Sequence, residues 1–145
     1  MTKFVISGYI GFDNFGDEAI AKVLISHLKS LEAEKITVLS SNPLKTSKMY
    51  AVDSVNFLNF FKPILESDVL ISGGGSLLQD VTSLKSLIYY LAVIVTALVF
   101  NKKVSVSAPN FRISLFAKPI VNSCQAFDNF CNLASILSKV LSNCC

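Results

Sequence analysis

Short apolar runs alternate along this chain with longer segments whose apolar residues recur at helical spacing. The runs are three to four residues long, are rich in β-branched side chains, and end at glycine, proline or polar residues, which is typical of buried β-strands. They predict strands at Phe4–Ser7, Ile36–Leu39, Val52–Val55, Val69–Ile71 and Lys103–Val106.

The intervening segments predict helices. The first starts at Asp17-Glu18 and carries apolar residues three and four positions apart, which is the pattern of an amphipathic helix. Its apolar positions are Ile20, Val23, Leu24, Leu28 and Leu31. Phe57 to Leu65 predicts an aromatic-rich helix and Leu84 to Phe100 a long apolar one, whereas Asn42-Pro43 predicts a break followed by a polar connection to Tyr50.

Strands that alternate with helices at this spacing predict parallel pairing with right-handed crossovers. The expected fold class is therefore α/β, an open doubly wound parallel sheet of the Rossmann-like kind. In such sheets ligands bind beyond the carboxyl ends of the strands. Both glycine-rich loops of the sequence are expected at that edge.

Composition favours one compact domain without a nucleic-acid partner. Of the 145 residues, 52% are hydrophobic and 16% are charged, which is enough apolar content for a sizeable core. The net charge of +3 comes from dispersed lysines and a single arginine, Arg112, with no dense basic cluster. This pattern argues against nucleic acid as a partner and does not require an acidic membrane surface.

The sequence predicts a cytoplasmic protein. Met1 to Ser7 has one lysine and a short apolar run, which differs from the layout of a secretory signal. The longest apolar stretch, Leu87 to Phe100, is shorter than the roughly 20 residues that cross a bilayer. We interpret it as a buried helix, while a peripheral contact with the inner face of the membrane stays open.

The stretch from Asp68 to Asp80 combines a buried strand, three adjacent glycines and an apolar, helix-compatible segment. Glycine permits left-handed backbone and lets a ligand approach where a Cβ would obstruct it. The free N–H groups of Gly73 to Ser76 could cup an anion such as phosphate or carboxylate. The alternative is a plain turn between strand and helix, although such a turn seldom needs three glycines.

The first glycine loop, from Gly8 to Gly16, has the opposite charge character. Asp17 and Glu18 follow it at the helix start, where they satisfy the free N–H groups and would repel a phosphate. Carboxylates and the Asn14 amide suit sugar hydroxyls instead, and one carboxylate could act as a general base. Helix capping alone is an equally good explanation for each acid. The glycine spacing does not fit a dinucleotide fingerprint, and the Walker lysine is missing.

These residues carry a resemblance to a known family. The segments 8–19, 71–80 and 86–91 together resemble the motifs of the polysaccharide pyruvyl transferases, in family order, over about residues 3–104. The resemblance implies the N-terminal domain of a two-domain fold similar to B-type glycosyltransferases. It also implies transfer of pyruvate from phosphoenolpyruvate, as donor substrate, to a sugar of a cell-wall or capsular polysaccharide, forming a ketal. The acceptor would be a polysaccharide or a lipid-linked oligosaccharide.

By this resemblance the two loops line the cleft of the enzyme, without a metal or a cofactor. Asp17 and Glu18 are the candidate catalytic base or hydroxyl-binding residues. The candidate substrate-binding residues are Gly11, Asn14, Gly16, Gly73, Gly74, Gly75, Ser76, Gln79 and Asp80. A trianionic donor also needs cationic clamps. The lone histidine, His27, lies in the first helix away from the loop tips, so the clamps are expected in a second domain that this sequence lacks.

The resemblance ends just after Val104. We therefore expect a Rossmann-like domain over 1–107 and a divergent tail over 108–145, which contains all four cysteines of the chain. A frameshift or truncation would explain the change, and a divergent cap with a modest amphipathic helix at residues 134–141 is the alternative. The cysteine spacing does not suit zinc. The chain is then the N-terminal half of a transferase and inactive alone, a non-catalytic module that binds a sugar or nucleotide sugar, or a non-functional fragment.

Overall fold

Strands and helices alternate along the chain, as the hydrophobic pattern predicts. The computed structural model describes residues 2–73, 84–108 and 111–115, and for 84–87, 107–108 and 111–115 it describes the backbone alone. The strands are β1 (Lys3–Ser7), β2 (Lys35–Ser40), β3 (Asp53–Asn56), β4 (Val69–Gly73), β5 (Lys103–Ala108) and β6 (Phe111–Leu115). The helices are α1 (Phe15–Ser30), α2 (Pro43–Tyr50), α3 (Phe61–Glu66) and α4 (Leu84–Val99), with a short 3-10 helix at Phe57–Asn59.

The strands form one sheet in the order β3-β2-β1-β4-β5-β6. The first five are mutually parallel, and β6 pairs with β5 in the antiparallel direction. The chain moves outward from β1 to β2 and β3 and then returns to the other side of β1 with β4. The predicted doubly wound α/β fold is thus confirmed, and its topological switch point lies between β1 and β4.

Both faces of the sheet are covered, which explains why the strands are apolar on both sides. On one face α1 and α2 pack over a cluster that includes Ile6, Ile25, Val38 and Tyr50. On the other face α3 and α4 pack over a second cluster, made of Val5, Leu39, Ile64, Leu70, Val93, Ala97, Val104 and Val106. Alternate residues of β1 thus enter opposite layers of the core.

Helix α2 was predicted as a polar connection, and that prediction is wrong. The Asn42 side chain caps the helix by accepting a hydrogen bond from the Lys45 N–H, and Pro43 occupies the first turn, where its missing N–H costs nothing. Asn42-Pro43 therefore starts a helix as well as ending β2. Among the described helices, none is both long and apolar enough to cross a bilayer.

Candidate functional site

The two glycine loops leave the sheet side by side at the switch point. Ser7, the last residue of β1, and Ser72, the next-to-last residue of β4, are register partners and are fully buried. A Cβ on Gly8 would lie 2.3 Å from the Gly73 carbonyl oxygen, so the two backbones touch where the loops begin. The expectation that both loops start at the carboxyl edge of the sheet is confirmed for these described positions.

The first loop is held firmly to the end of β2. Ile10 is buried in the core, and its carbonyl accepts a 3.0 Å hydrogen bond from the Ser41 N–H. Gly11 has φ +85°, and a Cβ there would lie 2.2 Å from the Ser40 Oγ and 2.8 Å from the Asn42 backbone nitrogen. Gly11 is therefore required by both its conformation and its packing. The loop is preorganised.

Glu18 braces this loop from the first turn of α1. Its Oε1 accepts a 2.7 Å hydrogen bond from the Gly11 N–H. Its Oε2 accepts a hydrogen bond from the Tyr50 hydroxyl, which also lies 3.2 Å from the Glu18 carbonyl oxygen. Because both carboxylate oxygens already accept hydrogen bonds from the chain, Glu18 is better suited to holding the loop than to proton transfer.

Asn14 and Asp17 form the cap of α1. The Asn14 Oδ1 accepts from the Gly16 N–H at 3.2 Å, and its Nδ2 donates to the Asp17 Oδ2 at 2.7 Å. The Asp17 side chain is only 3% exposed, in the first turn of the helix, where the N-terminal dipole stabilises a carboxylate. A buried carboxylate beside the switch point can accept a hydrogen bond or a proton from a bound hydroxyl.

Two tyrosines of α4 approach the same region from the other face. Burial raises the pKa of the Tyr90 hydroxyl, and the nearby Tyr89 and then the Asp17 carboxylate raise it further. Burial raises the pKa of Tyr89 to about 12, although the Ser7 hydroxyl lowers it. The Ser7 and Tyr89 hydroxyls have no hydrogen-bond partner that meets normal geometry among the described residues. Both tyrosines are therefore neutral at physiological pH.

Lys45 supplies a cation at this edge, which the sequence argument missed. It lies in the first turn of α2, and its ammonium pairs with the Asp13 carboxylate. The hydrogen bond to Asp13 raises the pKa of Lys45. Asp13 itself adopts the left-handed conformation, with φ 61°, which aspartate tolerates better than most residues. The residues Tyr50, Tyr90 and Lys45 reach the site from elements that no local motif connects.

The first loop itself carries a stacked pair of aromatic rings. The Tyr9 and Phe12 rings are 4.1 Å apart between centroids and nearly parallel, with 9° between their planes. Both side chains are partly exposed, at 37% and 43%. The Phe57 ring centroid lies 5.9 Å from that of Phe12 and 5.4 Å from that of Tyr89. A series of contacting aromatic rings therefore leads from the surface into the core.

Much of the second loop lies outside the described residues. Gly73 ends β4, two residues beyond the predicted end of that strand, whereas Gly74, Gly75, Ser76, Gln79 and Asp80 are not among the residues that the structure describes. Residues 116–145 of the predicted tail, with all four cysteines, lie outside them as well. The predicted anion nest and the roles of these residues therefore stay predictions. His27 is exposed in the last turn of α1, as expected from its position.

A cavity lies at the opposite edge of the sheet. It has a volume of about 810 Å³ and is lined by Lys3, Lys35 and Asp53, which are the first residues of β1, β2 and β3. Catalytic groups of doubly wound folds lie at the carboxyl edge, so we do not assign this amino-edge cavity to the site. Among the described residues, no three His, Cys, Asp or Glu side chains are grouped closely enough to hold a metal ion.

One comparison with known protein families gave a match. The model of the family described as polysaccharide pyruvyl transferase matches residues 14–128, which is most of the chain. The match starts at the Asn14 cap and continues past the boundary predicted at residue 107. Comparisons with curated proteins and with solved structures gave no match. On the family match, which covers well over half of the sequence, this chain belongs to the polysaccharide pyruvyl transferase family.

Proposed function

We propose that this chain carries the acceptor side of a pyruvyl transfer reaction. The donor would be phosphoenolpyruvate, and the acceptor a hydroxyl pair on a sugar of a cell-wall or capsular polysaccharide, free or as a lipid-linked oligosaccharide. The observation that carries the proposal is the buried Asp17 carboxylate at the switch point of a chain that belongs to a family of transferases. Phosphoenolpyruvate as the donor would place the reaction in the cytoplasm, at the inner face of the membrane if the acceptor is lipid-linked.

The chemistry requires one proton acceptor and one proton donor. Protonation of the methylene carbon of phosphoenolpyruvate makes the neighbouring carbon cationic, and a sugar hydroxyl attacks that carbon and loses its proton. The C–O bond to phosphate breaks, phosphate leaves, and the second sugar hydroxyl closes the ketal. Of the two hydroxyl protons, one balances the new methyl group and the other leaves with phosphate.

Asp17 is the preferred residue for contact with the attacking hydroxyl. Its side chain is buried, and its Oδ2 is oriented by the Asn14 amide at 2.7 Å. Polar groups that are already held in position contribute strongly to catalysis, because they need no reorganisation during the reaction. Glu18, the other predicted candidate, would support the reaction indirectly by holding Gly11 and Tyr50 in place.

The donor needs more positive charge than the described edge supplies. Lys45 lies at this edge, but its ammonium is paired with the Asp13 carboxylate. We propose that further basic groups come from residues outside the described part of the chain, or from a second domain. The Gly73 to Ser76 nest would then hold one end of the donor. On this proposal, the described part of the chain supplies groups that bind the acceptor, whereas transfer also needs these further basic groups.

The proposal is tested by acceptor binding and by product formation. Calorimetry of the full chain with an acceptor oligosaccharide should show binding that Asp17→Asn weakens. Asp53→Asn is the matched control, because Asp53 is an exposed acid at the amino edge, paired with Lys35. Phosphate release and mass spectrometry of the oligosaccharide then report transfer. A folded chain that binds neither substrate, or an Asp17→Asn variant that binds the acceptor normally, would contradict the proposal.

A further inference from the structure

The Tyr9 and Phe12 rings form an exposed pair, and their exposure to solvent does not stabilise the fold. Large apolar side chains gain stability from burial, yet this pair keeps over a third of each side chain in contact with solvent. Both residues belong to the loop that leads to Asn14, the cap of α1, and Asp17 follows in the first turn of that helix. We propose that this pair is the platform on which one pyranose ring of the acceptor stacks, an inference that rests on the proposed function and names the sugar subsite within it.

The pair is built as a rigid surface. The two rings stack at 4.1 Å with 9° between their planes, so they form one flat slab. Phe57 contacts Phe12, and Tyr89 meets Phe57 edge-on at 89°, which supports the slab from the partly buried side. A ligand that stacks on such a slab finds its binding surface already ordered, which lowers the entropic cost of association.

The chemistry of the neighbourhood selects a sugar. A pyranose presents one face lined by C–H bonds, which packs on an aromatic ring, and a rim of hydroxyls, which need polar partners. The Asn14 amide and the Asp17 carboxylate can supply those partners, and Glu18 fixes the loop backbone at Gly11, between Tyr9 and Phe12. Binding sites of small ligands usually combine apolar walls with a few polar groups in this way.

Phe15 provides an internal comparison. It is the most exposed aromatic side chain of the described residues, at 89%, and it lies at the start of α1, only three positions from Phe12. Among the described rings it has no stacking contact. An exposed phenylalanine that is close in sequence but outside the stack is therefore available as a matched control.

The test measures acceptor binding by the full chain and by three variants. Phe12→Leu keeps an apolar side chain but removes the ring, and it should weaken acceptor affinity about five- to tenfold, as expected for one aromatic contact. Phe12→Tyr keeps the ring and should bind within about twofold of the unmodified chain, as should Phe15→Leu, because neither change removes a stacked ring. Affinity for phosphoenolpyruvate should not change in any of them.

A second readout does not depend on variants. In the unmodified chain, NMR signals of the C–H protons on one face of the bound sugar should move upfield, because they lie over an aromatic ring. Equal affinity of Phe12→Leu and the unmodified chain, or absence of these upfield shifts, would overturn the platform even if Asp17→Asn still abolished binding. Conversely, a stacked sugar that is never converted to a ketal, with or without a second domain, would leave the platform standing and overturn the proposed transferase function.

Discussion

Replacing Gly11 by alanine should destabilise the protein strongly, and replacing Gly16 should not. Gly11 has φ +85°, and its added Cβ would lie 2.8 Å from the backbone nitrogen of Asn42. It would also lie 2.2 Å from the Ser40 Oγ. That hydroxyl cannot turn away cheaply, because it is 2.7 Å from the Thr46 hydroxyl and accepts from the Asn42 N–H at 3.0 Å.

The magnitude follows from two costs. A left-handed conformation costs an alanine roughly 1–2 kcal/mol relative to glycine. Forcing extra volume into a packed site costs typically about 1–3 kcal/mol. The free energy of unfolding should therefore fall by about 2–5 kcal/mol, a large part of the roughly 5–15 kcal/mol that stabilises a typical domain.

Gly16 is the matched control. Its added Cβ would meet only the Asn14 Oδ1, at 3.7 Å, and it lies in the first turn of α1 without a positive φ. Alanine there should leave stability unchanged or raise it by up to about 1 kcal/mol, since alanine favours helix.

The assay is urea unfolding of the two variants and the unmodified chain, followed by circular dichroism. The expected result is a lower midpoint for Gly11→Ala alone, with unchanged slope. Equal midpoints for Gly11→Ala and the unmodified chain would refute the account of the loop as a packed, preorganised element. A loss of similar size in both variants would refute the distinction between the two glycines.

Three further predictions concern the loop and the tyrosines. Tyr50→Phe should lower the free energy of unfolding by about 1–3 kcal/mol, because it leaves the part-buried Glu18 Oε2 without its donor. Tyr9→Phe is the control. Equal urea midpoints for Tyr50→Phe and the unmodified chain would count against the role of Glu18 in holding the loop. Stability should fall as the pH rises from about 10 towards 12, because burial holds the pKa of Tyr89 at about 12 in the folded chain, above its ordinary value of 10.0, and so the unfolded chain loses its proton first. Chemical unfolding at pH 8, 10 and 11 checks this, and a flat profile would contradict the buried position of that hydroxyl. Thr46→Val should cost about 1–2 kcal/mol by removing the buried partner of the Ser40 hydroxyl, with Thr2→Val as an exposed control; a loss of equal size in the control would refute the reasoning.

The fold was largely predictable because its strands are buried on both faces. Such strands appear in the sequence as continuous apolar runs, and five of the six observed strands coincide with them to within two residues at either end. Strand β6 was missed, because Phe111–Leu115 lies in the segment that was interpreted as a divergent tail. The aromatic segment after β3 was predicted as one helix, but the chain forms a 3-10 turn and a separate helix, α3, there.

The site was predictable only where it is local. Asn14, Asp17 and Glu18 stand at the helix start that their residue types indicate, and Gly11 has the left-handed conformation that glycine permits. What the sequence could not show is which partners each of the two acids has. The Glu18 carboxylate accepts a hydrogen bond from Tyr50, which is 32 positions away in the sequence. The stacked Tyr9 and Phe12 rings are supported by Phe57, which follows β3. Such pairings arise from the order of strands in the sheet, and no spacing pattern encodes them.

The most direct test of the central claim is an NMR titration of the labelled full chain with an acceptor oligosaccharide. The account predicts that backbone amide signals shift at the carboxyl edge, at Gly8, Gly11 and Gly16, and in the aromatic pair. Signals of Lys3, Lys35 and Asp53, which line the 810 Å³ cavity at the amino edge, should stay unchanged. Shifts confined to that cavity, or no shifts in a folded chain, would contradict the assignment of the acceptor site to the switch point.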